Sequence, residues 1–406
     1  MKQLAINGGI PVREKPFPVW PIHDRQEAQA LTNVLESGKW WRGEGSEIEA
    51  FEGEFAAAHD SNYALAVTNG THALELALAT KEIGIGDEVI VPGLTFISTA
   101  TAVFSENALA IPVDIDADTF CISADAILAA ITPRTRAIIP VHFGGHICDM
   151  DRIHQIAKER GIAVIEDAAH AHGAEWNHQG LGKSDSLICF SFQSSKLMTA
   201  GEGGAILLPN QETWNQAFLV NNCGRLGYSR SFPHEVLASN YRMTEFQAAL
   251  LRVQLQRLSA QIATREANAV YLDKCLQELV GITPQKRDPR VTKHSYYLYS
   301  LRFDSKAFNG LTSSEFVKAL NAEGIPCSTV YPPIYKVDFF QNHRFKAGFK
   351  FDDLESRINC PVVEQLSKEI VMIPHYLLLG DTSDVDDIVE AIAKIKSASN
   401  AEFSKV

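Results

Sequence analysis

The sequence predicts an α/β fold: a mainly parallel seven-stranded sheet with helices on both faces, followed by a smaller C-terminal α+β domain. Three observations carry this. Seven short apolar runs begin at residues 63, 88, 109, 137, 162, 187 and 205. Helical segments separate most of the early ones, the strand–helix–strand pattern of a parallel sheet. The last two runs are joined by a link too short for a full helix, so one strand is expected to run antiparallel.

Residues 1–22 hold Pro11, Pro16, Pro18 and Pro21 and read as an extended arm on the surface of this subunit or of a partner. Asp24 to Glu36 fits a helix, ended by Ser37-Gly38. The Trp40-Trp41 pair reads as a core or interface anchor, with a substrate platform as the rarer use of such rings. Glu47 to His59 is amphipathic, with Ile48, Phe51 and Phe55 on one face. Strands follow at Tyr63–Val67, Glu88–Val91, Leu109–Val113, Ala137–Val141, 162–167, Leu187–Phe192 and Ala205–Leu208, with a helix at Met150–Arg160 stopped by Gly161. A long helix near 241–279, capped by Thr244 or Asn240, bridges a large domain, 23–255, and a small one, 256–406. The small domain is expected to hold strands at Tyr296–Phe303 and Ile325–Tyr331 and helices at 313–323 and 384–398. The Tyr331-Pro332-Pro333-Ile334-Tyr335 corner reads as a rigid turn presenting two phenols, and the last few residues as frayed.

A chain of 406 residues, 46% hydrophobic and 21% charged, has ample core. Its net charge of -12 argues against nucleic acid and anionic membranes as partners. Seven cysteines, none in a C-x-x-C, read as reduced thiols of a cytoplasmic protein. The N-terminus shows no signal-peptide pattern and no stretch reaches transmembrane length. His142, His146, His172 and His178 match no zinc-ligand spacing, so no metal site is expected.

The chemistry-bearing residues gather where the strands end. Lys196 lies among the uncharged neighbours Ser194, Ser195, Leu197 and Met198, and glycines follow at 201, 203 and 204. An amine kept from water and screening loses its proton more readily, which suits Schiff-base chemistry; a loop lysine packed by its stem is the alternative. Upstream, the strand to Asp167 ends in two acids. A lysine paired with an acid at the carboxyl edge of a parallel sheet is the demand of pyridoxal phosphate (PLP), which needs a Schiff-base lysine and an anion for its ring nitrogen. Thr68-Asn69-Gly70-Thr71 lies between a strand and a helix, where a helix N-terminus can hold a phosphate or simply make a structural turn. Phe96 is either a core residue or a face for a flat cofactor, and His170 leaves the same strand end as Asp167.

These motifs together resemble the DegT-type, PLP-dependent sugar and cyclitol aminotransferases of fold type I. The resemblance spans nearly the whole chain. It rests on Thr-Asn-Gly-Thr at 68–71, Pro-Gly-Leu-Thr-Phe at 92–96, Val-His-Phe-Gly-Gly at 141–145 and Glu-Asp-Ala-Ala-His-Ala at 166–171. Ser-Phe-Gln-Ser-Ser-Lys at 191–196, Gly-Glu-Gly-Gly at 201–204 and Asn-Tyr-Arg-Met-Thr at 240–244 complete it. The resemblance implies Lys196 as the Schiff-base lysine and proton carrier, and Asp167 as partner of the ring nitrogen. It also implies Phe96 stacked on the ring, His170 near the ring hydroxyl, and Gly70, Thr71 and Ser191 on the phosphate. Asn240 would come from the neighbouring subunit of a homodimer with shared sites, and Tyr331 would line the substrate pocket. One branch of the family carries histidine in place of the lysine and dehydrates sugars; Lys196 sets this chain apart from it.

Lys-Leu-Met-Thr-Ala-Gly-Glu-Gly-Gly from 196, with Leu-Ala-Ile-Asn-Gly-Gly near the N-terminus, is most similar to the scyllo-inosose aminotransferases and the 3-amino-5-hydroxybenzoate synthases. The implied activity takes an amino group from L-glutamine or L-glutamate, by way of pyridoxamine phosphate, to a keto-cyclitol or keto-sugar in aminocyclitol, aminosugar or other secondary-metabolite biosynthesis. A PLP dehydratase that makes an aminobenzoate is the alternative. A non-catalytic PLP-binding regulator is a third, disfavoured by the intact Lys196, Asp167 and phosphate turn.

Overall fold

The computed structural model describes residues 3–228, 233–342 and 352–402. The end expected to fray, 403–406, lies outside the described residues, as do residues 1 and 2 of the arm.

Seven strands form the large sheet: β1 (Tyr63–Val67), β2 (Glu88–Pro92), β3 (Leu109–Val113), β4 (Thr135–Ile138), β5 (Ala163–Asp167), β6 (Leu187–Ser191) and β7 (Gly204–Leu208). Their order across the sheet is β1-β7-β6-β5-β4-β2-β3. The pairs β2–β3, β2–β4, β4–β5 and β5–β6 are parallel. β7 runs antiparallel to both neighbours, β1 and β6, as the short link before it requires. Most of these strands are buried from end to end, which is why they read as continuous apolar runs rather than alternating ones. β4 starts two residues earlier than its apolar run and stops before Pro140, which has no N–H to give the ladder. Val141 still meets Asp167 in an isolated parallel bridge.

Helix ends are set by local chemistry. Asp24 caps Arg25–Ser37 in a capping box with Glu27, and Gly38 closes it in the left-handed region at φ 66°. Asn69 caps Gly70–Thr80, accepting from His72 N–H at 2.8 Å. Thr244, not Asn240, is the cap of the long helix Glu245–Leu276, and Gln247 Oε1 accepts from its N–H at 3.0 Å.

The C-terminal part carries a four-stranded antiparallel sheet in the order Ile282–Pro284, Leu298–Phe303, Ile370–Pro374, Ser328–Thr329. Two of these strands were not anticipated. The strand expected at 325–331 shrinks to Ser328–Thr329, flanked by Pro326 and Pro332, which cannot donate. The long helix touches two separate cores. Ala248, Leu251, Leu258 and Ile262 join the core of the large sheet, and Ala269, Leu272 and Leu276 that of the small one.

The arm is not merely laid on the surface. Phe17 is buried in the second core, and the Arg13 guanidinium pairs with Asp384 at 2.7 Å and Asp387 at 2.6 Å. The tryptophan pair is not core either: Trp40 is 50% and Trp41 38% exposed. No described helix is long and apolar enough to cross a membrane.

Candidate active site

Strand ends of the large sheet and two segments of the C-terminal part enclose a cavity of about 660 Å³. Gly70, Thr71, Phe96, Asp167, His170, Ser191, Lys196 and Tyr331 all line it. Asn240 does not; it is exposed, bridged to Asn222 outside this cavity.

At one end, β1 gives way to the helix Gly70–Thr80. The backbone N–H groups of Gly70 and Thr71 have no acceptor among the described residues, so the helix N-terminus presents two free donors. Gly70 lies so close to Ser191 at the end of β6 that an added Cβ would stand 2.7 Å from the serine Cβ. Gly204, the first residue of antiparallel β7, supports the same turn from behind. A Cβ there would stand 2.4 Å from Asn69 O and 2.9 Å from Gly70 N. Thr71 Oγ1 donates to Ser98 Oγ at 3.0 Å. The geometry is a cradle for a phosphate.

Asp167 ends β5 and is 8% exposed. Its carboxylate accepts from Thr99 Oγ1 at 3.0 Å and from Ala169 N–H at 3.2 Å, and Thr99 is fixed in turn by Thr95 at 2.9 Å. Burial raises its pKa above the usual aspartate value, against the opposing pull of these hydrogen bonds and the Lys196 charge. Among the described residues it has no ion-pair partner, so a cationic N–H entering the cavity would meet an unmatched buried acid.

Lys196 follows a tight turn in which its N–H donates to Gln193 O at 2.8 Å. Its Nζ stands 4.4 Å from the ring centroid of Tyr297, a cation–π contact, and pairs with no carboxylate among the described residues. Tyr297, unforeseen in the sequence, is the hub of this end. Its ring stacks on His170 at 4.2 Å, and its hydroxyl lies 3.0 Å from Ser195 Oγ. His170 is 5% exposed, and its Nδ1 accepts from Gly144 N–H at 3.3 Å, which puts the proton of the neutral ring on Nε2. Burial, then the charges of Lys196, His172 and His142, hold its pKa well below the ordinary histidine value.

Phe96 is 55% exposed, so the core role fails; its ring meets Tyr331 edge-on at 6.1 Å across the mouth. Burial, followed by Tyr297 and Asp167, raises the Tyr331 pKa. The corner after it presents one phenol rather than two, because Tyr335 turns inward, 6% exposed, with its hydroxyl 3.4 Å from Glu364. The residues present fit a flat, phosphate-bearing, cationic-ring cofactor: free helix N–H groups, an uncovered aromatic face, an unpaired buried acid and an amine in one cavity.

Comparison with known proteins agrees. The profile of the DegT/DnrJ/EryC1/StrS aminotransferase family matches residues 21–393. The 3-amino-5-hydroxybenzoate synthase of Amycolatopsis mediterranei (strain S699) is 41% identical, with 93% of this chain and 96% of that protein covered. An L-glutamine:2-deoxy-scyllo-inosose aminotransferase of Streptoalloteichus tenebrarius is 37% identical, with 97% of each covered. The crystal structure of 3-amino-5-hydroxybenzoic acid (AHBA) synthase superposes with a TM-score of 0.86 at 40% identity, over 94% of this chain and 99% of that one. Matches of this length, over a fold and a cavity that independently suit PLP, mean that the chain belongs to the DegT/DnrJ/EryC1/StrS aminotransferase family, with the type I fold of PLP enzymes.

Proposed function

We propose that this aminotransferase moves an amino group from L-glutamine or L-glutamate to a keto-cyclitol or keto-sugar in the cytoplasm, in the making of an aminocyclitol, an aminosugar or a related antibiotic. The observation that carries the reading is that Lys196 and Asp167 open onto one cavity, each without an ion-pair partner among the described residues. The names of the relatives at 37% and 38% identity, glutamine-dependent aminotransferases of scyllo-inosose derivatives, support the donor and acceptor classes.

PLP, when bound, supplies a carbonyl for the donor nitrogen and a ring that takes up the electron pair of the broken C–H bond. The chain does the rest. Gly70 and Thr71 N–H and the Ser191 hydroxyl would hold the phosphate. The Asp167 carboxylate would hold the proton of the ring nitrogen. Phe96 would cover the ring, and His170, with its proton on Nε2, would face the ring hydroxyl. Lys196 Nζ would carry the proton taken from the donor's carbon, and the Tyr297 face, 4.4 Å away, would steady the charged amine. Tyr331 borders the acceptor.

The same reading makes the enzyme a homodimer with shared sites. Asn240, exposed and outside its own cavity, serves the partner's phosphate, and the half-exposed Trp40 suits an interface. It divides the chain into an arm (1–22), a large PLP-binding domain (23–255) and a small domain (256–406); the second buried core lies within the arm and 256–406, while the first also takes in Val330, Val363 and Ile370 from beyond 255. The 41% identity to a 3-amino-5-hydroxybenzoate synthase favours one second reading, a PLP dehydratase that forms an aminobenzoate with the same lysine.

The test is an absorption titration. A visible Schiff-base band that L-glutamine or L-glutamate shifts to the near-ultraviolet, with amination of a keto-cyclitol afterwards, is the expected result. A band that neither donor moves refutes transamination from these donors, and aromatisation of an aminodehydroquinate then identifies the dehydratase.

A further inference from the structure

Arg265 is the largest fully buried side chain among the described residues, at 0% exposure, and does not line the cavity. Its Nε donates to Ser295 O at 3.0 Å, while Nη1 and Nη2 have no partner among the described residues. Burial alone pushes its pKa down to about 9, so it remains charged at neutral pH. The proposed mechanism gives this cation no task.

Two buried imidazoles carry the complementary deficit. His172, 0% exposed, lies 2.9 Å through Nε2 from Ser191 O. His375, 2% exposed, lies 3.1 Å through Nε2 from Ser195 O. A carbonyl only accepts, so both rings carry their proton on Nε2 and keep a bare lone pair on Nδ1. Neither Nδ1 has a partner among the described residues. The helix that carries Arg265 packs on both ring-bearing segments: Leu258 and Ile262, before it, meet Gly173 beside His172, and Asn268, after it, donates to Leu378 O at 2.9 Å in the turn that begins at His375. Two unmet donors and two unmet acceptors thus share one buried neighbourhood, where leaving all four unmet is costly. Buried water commonly joins such groups.

We infer that Arg265, His172 and His375 form one hydrated network, in which each free Nη donates through a buried water to one free Nδ1, making Arg265 a positioning residue for Lys196. The positioning role rests on the reading of Lys196 as the reactive amine; the network itself does not. Arg265 thereby ties together three pieces of the site. Through His172 it fixes the carbonyl of Ser191, and through His375 that of Ser195, the two ends of the segment leading to Lys196. Through Ser295, whose hydroxyl donates to His170 O at 2.7 Å, it reaches the histidine strand end as well.

The first experiment is a high-resolution crystal structure of the wild-type holoenzyme. Two waters are expected, each about 3 Å from an Arg265 Nη and from an Nδ1. A dry guanidinium, or an anion against it, overturns the network. The second compares Arg265→Met, Arg265→Lys and His375→Phe by amide hydrogen exchange of residues 192–196 without substrate, and by the rate at which L-glutamine bleaches the Schiff-base band. Arg265→Met is expected to raise exchange and to slow bleaching about 10-fold, with the apparent affinity for L-glutamine moved less than about 2-fold; Arg265→Lys recovers most of both. His375→Phe, for use if the methionine variant does not fold, raises exchange next to Ser195. Unchanged exchange in the folded variants refutes the positioning role. The water and exchange measurements need no transamination, so they stand or fall apart from the proposed activity.

Discussion

The two walls of the cavity are made in different ways. One is the carboxyl edge of the large sheet: Gly70 and Thr71 after β1, Phe96 after β2, Asp167 at the end of β5, Ser191 and Lys196 at and after β6. The other comes from the C-terminal half, where Tyr297 precedes one short strand and Tyr331 follows another. The first wall carries charge, free N–H groups and the amine. The second is two phenols set by packing on residues a hundred positions away, as Tyr297 is on Ser195 and His170. On the proposed mechanism the first wall would supply the reacting groups, with Tyr297 of the second steadying the Lys196 amine and Tyr331 bordering the substrate.

That division can be broken from either side. Lys196→Ala should lower turnover by about 10⁴-fold and leave PLP removable by dialysis; turnover within about 10-fold of wild type would move the chemistry elsewhere. Asp167→Asn keeps the size and loses the charge. A loss of about 10²- to 10³-fold in the donor half-reaction is expected, read by stopped-flow absorbance.

Acid offers a third test, directed at what holds the first wall. His59 is fully buried, donates through Nδ1 to Phe55 O and accepts from Gly173 N–H at 3.0 Å on Nε2, so a second proton must break the latter bond. Burial pushes its pKa from 6.5 down to about 4. The unfolded chain then binds the proton first, so the contribution is full above pH 6.5 and is lost as pH falls through 4, about 3 kcal/mol in all. His170, His172, His294 and His375 shift in the same direction. Asp167, with its raised pKa, has the opposite sign and helps only toward acid. Denaturant melts between pH 7 and 4.5 should show stability falling, less steeply in His59→Phe; equal slopes would contradict the assignment. The smallest effect is expected on the second wall. Tyr297→Phe loses the hydroxyl contact with Ser195, worth about 1 kcal/mol, or about 5-fold in the half-reaction. A loss as large as that of Lys196→Ala would erase the distinction between the walls.

The same contrast explains what could be read from the chain alone. Asp167 ends an apolar run and Lys196 stands four residues past another, so a local rule about strand ends finds them. That one strand runs antiparallel was legible from the short link between the last two runs; that it is β7 took the structure. Tyr297 was not legible as a site residue, because its contact with Lys196 exists only once residues about 100 positions apart are packed. The histidines behind the site were equally silent, since nothing local marks which ring nitrogen will face a carbonyl. Prolines misled in the C-terminal half: Pro326 and Pro332 sit in and beside an apolar run that looks like a strand but lacks the donors to pair as one. Phe96 was ambiguous for a different reason, because a core phenylalanine and one awaiting a flat ligand have the same neighbours in sequence.

Gly204 settles where such an enzyme can change. An enzyme recruited to a new ketone must alter its pocket by single substitutions, each of which leaves it working. At Gly204 no such step exists, because any side chain would enter the space of Asn69 O and Gly70 N and push the anion cradle apart without touching a substrate. New acceptor scope is therefore to be sought by varying the C-terminal wall, with the glycine-braced edge left intact.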